Sequence, residues 1–577
     1  MSLTLHETPG PGGSPPEAAA PARPRTSRRT VGLRRLAGTA LVVVPVVWAL
    51  VRALAPGVAV VNPGGLPVLR RLLSAVAHPA LSAGFLRVVV GAAGTTLVFA
   101  ALGTAAALVL GAAGALVLSD ATWRHRPGPA VRAVRLIVRG LLVAMRSVHE
   151  VVWALLFVSV LGLDPLVAVL AIAVPFGAQT AKVFSEILDD VPHHALRALR
   201  AAGAGSVPAL AYGLLPPAAP LLLSYSFYRF ECAIRSAVVL GVVGVGGLGS
   251  EIVVSLQSRN WDEVWTLVGA IVVLSALVDV WSARVRTDLS VASCSDWTAG
   301  TVAAADRGGP TRWARWSAAL IVPAVVAAWV LSGVSLGGLF SDRTHALTTG
   351  LIHEMLPPTL PRGGWGELGG AVLDTLSMAV LAMVAAVVLS LLVGPVATRV
   401  RPVAHRGRGS RGAAAPVAVA RVLARMTLLV LRSVPPTVWA ALALLVLFPG
   451  VLPGALALGL YTGGILGRLV AEAWESIDRR PRDALRAAGI GPATAAVAAV
   501  LPPSSRHLVT YSLYRFEICV RDTAVVGVVG AAGLGQLFAE NLSIFDFPVV
   551  TTLLLASIGV SLLSEVLGRR VRRALEA

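Results

Sequence analysis

Runs such as LAGTALVVVPVVWALVRALA (36–55) and LIVPAVVAAWVLSGVSLGGL (320–339) carry at most one charge each, over the roughly 20 residues that cross a bilayer. Backbone groups in hydrocarbon must pair within their own segment, so each such run is expected to be a helix. Of the 577 residues, 56% are hydrophobic and only 14% charged, and the mean hydropathy is +0.78. A soluble globule of this composition would have too little polar surface. The chain reads as an all-α polytopic membrane protein, long enough for two membrane domains.

The net charge of +19 would suit nucleic acid, but its distribution excludes that partner. The arginines cluster between apolar runs, in RPRTSRRTVGLRR (23–35), RHRPGPAVRAVR (124–135), RVRPVAHRGRGSR (399–411) and RRVRR (569–573). Basic loops retained on the cytoplasmic side give this pattern, and lipid is the implied partner. Lys182 is the chain's single lysine, and no GxxxxGK[ST] loop surrounds it. A P-loop ATPase is therefore excluded, and no nucleotide cofactor is expected in this chain. Cys232, Cys294 and Cys519 form no paired framework, and His193 and His194 are adjacent rather than one turn apart, so no metal site is expected. The SRRTVGL stretch with ALA at 53–55 can be read as an export signal or as the basic flank of a first membrane helix. The many apolar segments that follow favour the helix. Residues 1–30 read as a disordered cytoplasmic tail.

The chain repeats itself at an offset of 286. RSVHEVVWALL at 146 answers RSVPPTVWAAL at 432, and SYSFYRFE at 224 answers TYSLYRFE at 510. Over 224–249 against 510–535, fifteen of twenty-six positions are identical, which marks a tandem duplication. About six spans per copy are expected, near 34–55, 86–118, 136–162, 165–184, 207–228 and 264–283, then near 315–337, 370–397, 424–448, 450–470, 494–516 and 547–567. Two parallel six-helix repeats, about twelve spans, put both termini on the cytoplasmic side. The halves run 31–286 and 313–577, with a linker at 287–312.

Each half breaks its apolar pattern once, with EILDDVPHHALRALRAAG (186–203) and EAWESIDRRPRDALRAAG (472–489). The order of acids, then arginines, then glycine suits a helix with its dipole complemented at both ends. Gly203 and Gly489 are expected to stop it, and Pro192 and Pro481 to split each stretch. A solvated loop is the plain reading; two copies with helical organisation suggest a docking segment.

Here the sequence resembles a known family. Glu186, Ala201, Ala202 and Gly203, followed by Leu215 and Pro216, are similar to the EAA motif of ABC importer permeases. Glu472, Ala487, Ala488 and Gly489, followed by Leu501 and Pro502, repeat it. The resemblance implies the type I ABC importer permease fold and a coupling role for Glu186, Ala202, Gly203, Glu472, Ala488 and Gly489. It also implies a separate ATPase partner that binds ATP and magnesium, an external substrate-binding protein, and a place in a bacterial plasma membrane. The chain itself is then not an enzyme. YRFE-x-x-x-R followed by a glycine-rich segment, over roughly 84–286 and 370–570, resembles the phosphonate-type permeases, here with two halves fused. The acid-Thr-Leu before the second span of that family stands within LDTLSMA (373–379) in the second half and is not kept in RVVVGAAGTTL (87–97). Phosphonates or related phosphorus oxyanions are the implied substrate. The rival readings are an ABC permease for methionine, phosphite or another oxyanion, and a secondary transporter with parallel repeats.

Glu231 and Arg235, like Glu517 and Arg521, stand four residues apart in the favourable order for a helical pair. Charges within a membrane persist when paired, wet or functional. Two roles stay open: structural ion pairs, or arginines (including Arg229 and Arg515) that meet an anionic substrate. Tyr225 and Tyr511, one turn earlier, could add hydroxyl donors.

Overall fold

The computed structural model describes residues 43–54, 60–123, 128–288, 312–398, 411–478 and 480–576. The tail at 1–30 and nearly all of the linker at 287–312 lie outside the described residues. The described chain is helical, and each half contains the same nine helices. In the first half these are α1 (Ala83–Leu118), α2 (Pro129–Ser147), α3 (Glu150–Leu161), α4 (Pro165–Asp190), α5 (His194–Ala201), α6 (Ser206–Gly213), α7 (Leu215–Val242), α8 (Leu248–Gln257) and α9 (Trp261–Asp288). In the second they are α10 (Gly364–Ala397), α11 (Arg411–Ser433), α12 (Pro436–Leu444), α13 (Val451–Ser476), α14 (Arg480–Ala487), α15 (Pro492–Ala499), α16 (Leu501–Val528), α17 (Leu534–Ser543) and α18 (Phe547–Glu576). From α4 to α8 every helix starts and ends 286 residues before its twin. Helices Val43–Ala53, Gly65–Ala75, Arg312–Ser332 and Asp342–Glu354 stand outside this repeat.

The all-α polytopic class is as expected; the span tally is not. Six described helices are long and apolar enough to cross a membrane, or eight if two bent pairs each count as one span, against about twelve expected. Part of the shortfall lies in the expected span 34–55, which is described only from residue 43, as helix Val43–Ala53, and in that at 315–337, whose apolar helix is the shorter Ala319–Ser332; the rest comes from breaks that apolarity conceals. The expected span 136–162 is α2 and α3, bent by 95° at Val148–His149, where the His149 ring accepts from Val151 N–H at 3.3 Å. Its twin breaks before Pro435–Pro436, which supply no N–H to continue a helix. The span expected at 207–228 is α6 and α7, bent by 64° just before Pro216 and Pro217.

Each half is built on one close helix pair, α1 with α4 and α10 with α13. Small residues set the approach, as expected where lipid gives little drive for helix association. A Cβ on Gly103 would lie 2.8 Å from Ile172, one on Gly177 2.9 Å from Leu110, and in the twin one on Gly459 2.8 Å from Ala385. The loop between α7 and α8 crosses the same pair. Gly247 (φ +85°) and Gly533 (φ +86°) occupy the left-handed region, and a Cβ on either would sit 2.6 Å from a threonine hydroxyl. Those hydroxyls, Thr96 and Thr375, accept from Leu248 N–H and Leu534 N–H at 3.0 Å each. As read above, the first half lacks the acid of that motif, but its Thr96–Leu97 fill the places of Thr375–Leu376. In the second half that acid, Asp374, pairs with Arg52 of the N-terminal helix at 2.6 Å.

The two halves are clasped by crossed ion pairs. Arg146 at the end of α2 reaches Glu565 on α18, with N–O distances of 2.8 and 2.6 Å. Its twin Arg432 at the end of α11 reaches Asp279 on α9, the position equivalent to Glu565. Each arginine meets the acid of the opposite half, and all four side chains are buried. Breaking one buried pair strands a charge at a cost of about 3–5 kcal/mol, whereas apolar replacement of both partners can be nearly neutral. We therefore predict that Arg146→Leu lowers the thermal stability and yield of the purified chain more than Arg146→Leu with Glu565→Leu, read by fluorescence-detected melting. Equal losses would remove the clasp from the account.

Candidate functional site

Helices α7 and α16 bring the two YRFE segments together at the interface of the halves, beside the α2–α3 and α11–α12 breaks and the middles of α4 and α13. They enclose a cavity of about 220 Å³ whose wall comes from both halves. Seven arginines line it: Arg146, Arg229, Arg235, Arg432, Arg468, Arg515 and Arg521. Gln179, Tyr228, Tyr461 and Tyr514 add neutral polar groups.

Five of the arginines are neutralised by carboxylates. Arg235 donates to Glu231 at 3.2 Å, and Arg521 stands 3.7 Å from Glu517 while donating to the Arg146 carbonyl at 2.9 Å. Both expected i,i+4 pairs thus exist. Arg146 and Arg432 are held by the clasp, and Arg432 also lies 3.8 Å from Glu231. Arg468 bridges Asp279 at 3.5 Å and Glu472 at 2.8 Å. Through these contacts a chain of charges runs from Arg235 to Glu472.

Arg229 and Arg515 differ. They are twins, 8% and 7% exposed, and neither has a carboxylate within salt-bridge distance among the described residues. The Arg229 guanidinium lies 3.7 Å over the Phe176 ring, and its Nε has no hydrogen-bond partner. Arg515 leaves both Nε and Nη2 without one. Buried donors are rarely left so, because an unpaired polar group in low dielectric costs about 1–3 kcal/mol, and more when charged.

One wall of the cavity breaks the duplication. His149, Glu150 and Asp522 stand where the twin positions hold Pro435, Pro436 and Ser236, and all six line the cavity. Glu150 accepts from Ser236 Oγ at 2.5 Å and lies 3.3 Å from His149 Nδ1; His149 Nε2 lies 3.6 Å from Asp522. The exchange of Ser236 for Asp522 stands in the matched YRFE segments, whereas His149 and Glu150 were passed over in the sequence. The signal was present as HE against PP at equivalent positions.

Tyr225 and Tyr511 are not in the cavity wall. Tyr225 packs with Phe184 and Tyr228, ring centroids 5.9 Å apart in each case, and Tyr511 lies 6.1 Å from the His507 ring. The wall takes Tyr228, Tyr514 and Tyr461 instead, which repeat-matching alone does not single out. Among the described residues no three His, Cys, Asp or Glu side chains converge as a metal cage.

The polar interruptions fold as a long helix end followed by a helical hairpin. Glu186 lies in the penultimate turn of α4, 4.0 Å from Lys182, and Glu472 occupies the same place in α13. The acids therefore do not open the loop helix, as the dipole argument expected: α5 has no acid in its first turn, and α14 has only Asp483. The break at Pro192 falls after them. Asp189 instead accepts from Ser119 Oγ at 2.6 Å and Ala121 N–H at 3.0 Å, tying the helix end to the preceding loop. Gly203 and Gly489 do stop the short helices, with φ of +83° and +81°. Ala204 N–H closes back on Leu199 C=O at 3.0 Å, and Ile490 N–H on Leu485 C=O at 3.1 Å, the bond that marks a left-handed glycine stop. Ala202 and Ala488 are exposed beside them.

Against this geometry, known proteins are informative. The family model for the binding-protein-dependent transport system inner membrane component matches twice, at residues 129–290 and 411–577, once per half. A phosphate-import permease protein PhnE of Mycolicibacterium smegmatis is 30% identical over 454 residues, 79% of each chain. A phosphite transport system permease protein PtxC of Stutzerimonas stutzeri is 35% identical over 36% of this chain and 69% of its own. A putative cryptic phosphonate transport system permease protein PhnE2 of Escherichia coli is 37% identical over 18% of this chain and 87% of its own. A duplicated match covering more than half the residues, together with a relative aligned across most of both chains, places this chain in the binding-protein-dependent transport system inner membrane component family, as a tandem fusion of two ABC permease halves.

Proposed function

We propose that this chain forms the complete translocation pathway of an ATP-driven importer of phosphonates or related phosphorus oxyanions. The observation that carries the reading is the cavity shared by the halves, with Arg229 and Arg515 buried in its wall and lacking carboxylate partners. Their planar guanidinium forks suit an oxyanion. A cavity with seven arginines argues against methionine, and three relatives are named for phosphate, phosphite and phosphonate transport. ATP and magnesium belong to a separate ATPase. The α5–α6 and α14–α15 hairpins, with Glu186 and Glu472 behind them, are its docking segments, and both termini lie on the cytoplasmic side of a bacterial inner membrane. The exposed surface of α14, which has no buried residue, supports a docking role. An external binding protein delivers the substrate.

Three outcomes follow. In proteoliposomes holding the chain, its ATPase and its binding protein, Arg515→Gln and Arg229→Gln should each reduce ATP-dependent methylphosphonate uptake at least about tenfold, the scale of one lost charge-assisted contact, with ATPase docking unchanged. Uptake at the wild-type rate in both would remove these arginines from the pathway. Glu186→Arg, Gly203→Asp, Glu472→Arg and Gly489→Asp should leave membrane insertion intact and weaken co-purification of the ATPase; normal ATP-dependent uptake in all four would contradict the docking assignment. Native mass spectrometry of the minimal active complex should find one copy of this chain per two ATPase sites, and two copies would refute the fused-pathway reading.

A further inference from the structure

The cavity was duplicated with the chain, yet one wall is not symmetric. Among the twin positions that line it, Pro175 and Tyr461, Gln179 and Ile465, and Cys232 and Ile518 also differ, but only three differences bring in a carboxylate or an imidazole: histidine for proline, glutamate for proline and aspartate for serine. They converge on one spot, where Glu150 and Asp522 flank His149 from opposite halves. A carboxylate pair beside seven arginines is not needed to neutralise them, since five already have acidic partners. The two that lack such partners, Arg229 and Arg515, are more than nine-tenths buried and line the same cavity.

Asp522 is the open member of the cluster. Neither of its carboxylate oxygens makes a hydrogen bond among the described residues, and its nearest partner, His149 Nε2, is 3.6 Å away. Glu150, by contrast, is engaged by Ser236 and His149. On α16, Asp522 follows Arg515 by seven residues, two turns along one helix face, and both face the cavity. A ligand between them meets donors without acceptors at one end and an acceptor without a donor at the other. An oxyanion with no proton satisfies the arginine and is repelled by the aspartate. An oxyanion that keeps one proton satisfies both.

We propose that Asp522, positioned by His149 and Glu150, selects phosphorus oxyanions that carry a P–OH group, accepting that proton in a hydrogen bond and excluding oxyanions that have none. The assignment rests on the oxyanion reading of the cavity given above. It names a discrimination made within the permease, separate from that of any external binding protein. The aspartate works by rejection as much as attraction: a buried carboxylate left facing an unprotonated oxyanion is a repulsive element, and a site built to bond a ligand hydroxyl discriminates strongly against an analogue that lacks it.

The test uses the full chain bound to its ATPase subunits in lipid nanodiscs, without binding protein, and measures ligand affinity by calorimetric titration. The probes are methylphosphonate, its monomethyl ester, sulfate and 2-aminoethylphosphonate, near pH 6. The ester and sulfate have no acidic proton; the ester is larger than the parent and sulfate is not. In the wild type, methylphosphonate should bind at least about tenfold more tightly than either, the lower end of discrimination by a hydrogen-bonding site. In Asp522→Asn, and in Asp522→Ser, which installs the twin residue, the gap to sulfate should close to within about threefold, mainly by gain of sulfate binding. Gain of a ligand cannot come from misfolding. Equal sulfate and methylphosphonate affinity in the wild type, or an unchanged gap in both variants, overturns the proposal. Tightest binding of 2-aminoethylphosphonate, lost in the same variants, overturns it in favour of an ammonium site. If no anion binds and Arg515→Gln changes nothing, the oxyanion reading itself has failed.

Discussion

Four buried side chains hold the architecture together. Arg146 bonded to Glu565 and Arg432 bonded to Asp279 are the contacts by which each half grips the other. In a membrane an isolated charge is expensive, so each arginine compels its acid to stay in place. Because the acids belong to the opposite half, neither half can satisfy its arginine alone. The cavity lies where these pairs meet the YRFE helices, and its shape depends on the same constraint. Arg432 also leans toward Glu231, and Asp279 toward Arg468, so the clasp merges with the polar wall and reaches Glu472 behind the second hairpin.

Much of this was legible in the sequence, for identifiable reasons. The offset of 286 placed twin helices correctly because insertions are absent between α4 and α8 and between their counterparts. The i,i+4 spacing of Glu231 and Arg235 was enough to predict a pair that forms within one helix. The glycine stops at Gly203 and Gly489 were readable because a left-handed residue has a strong local signature. Other features depend on where distant segments meet. Nothing local distinguishes Arg146, which finds Glu565 more than four hundred residues away, from a basic flank. The α2–α3 bend hid inside an apolar run, since hydropathy reports solvent preference and not direction. Tyr225 and Tyr228 are three residues apart on one helix, and only packing against Phe184 decides which one leaves the cavity wall.

Duplication and fusion also explain how asymmetry entered the site. Two separate identical subunits would place any change at both ends of the pathway. In one chain, His149, Glu150 and Asp522 can stand against Pro435, Pro436 and Ser236, and the paired arginines can stay alike while the carboxylate wall exists once. The fold supplies a two-fold frame; the chemistry within it is one-sided.

The central claim is that an oxyanion passes between the halves against Arg229 and Arg515. Electron cryo-microscopy of the chain with its ATPase and binding protein, trapped with methylphosphonate in transit, addresses it most directly. Ligand density in the shared cavity, within hydrogen-bond distance of the Arg515 guanidinium, is the predicted result. Density along a route that avoids this cavity, with Arg515 paired instead to a carboxylate, would contradict the account.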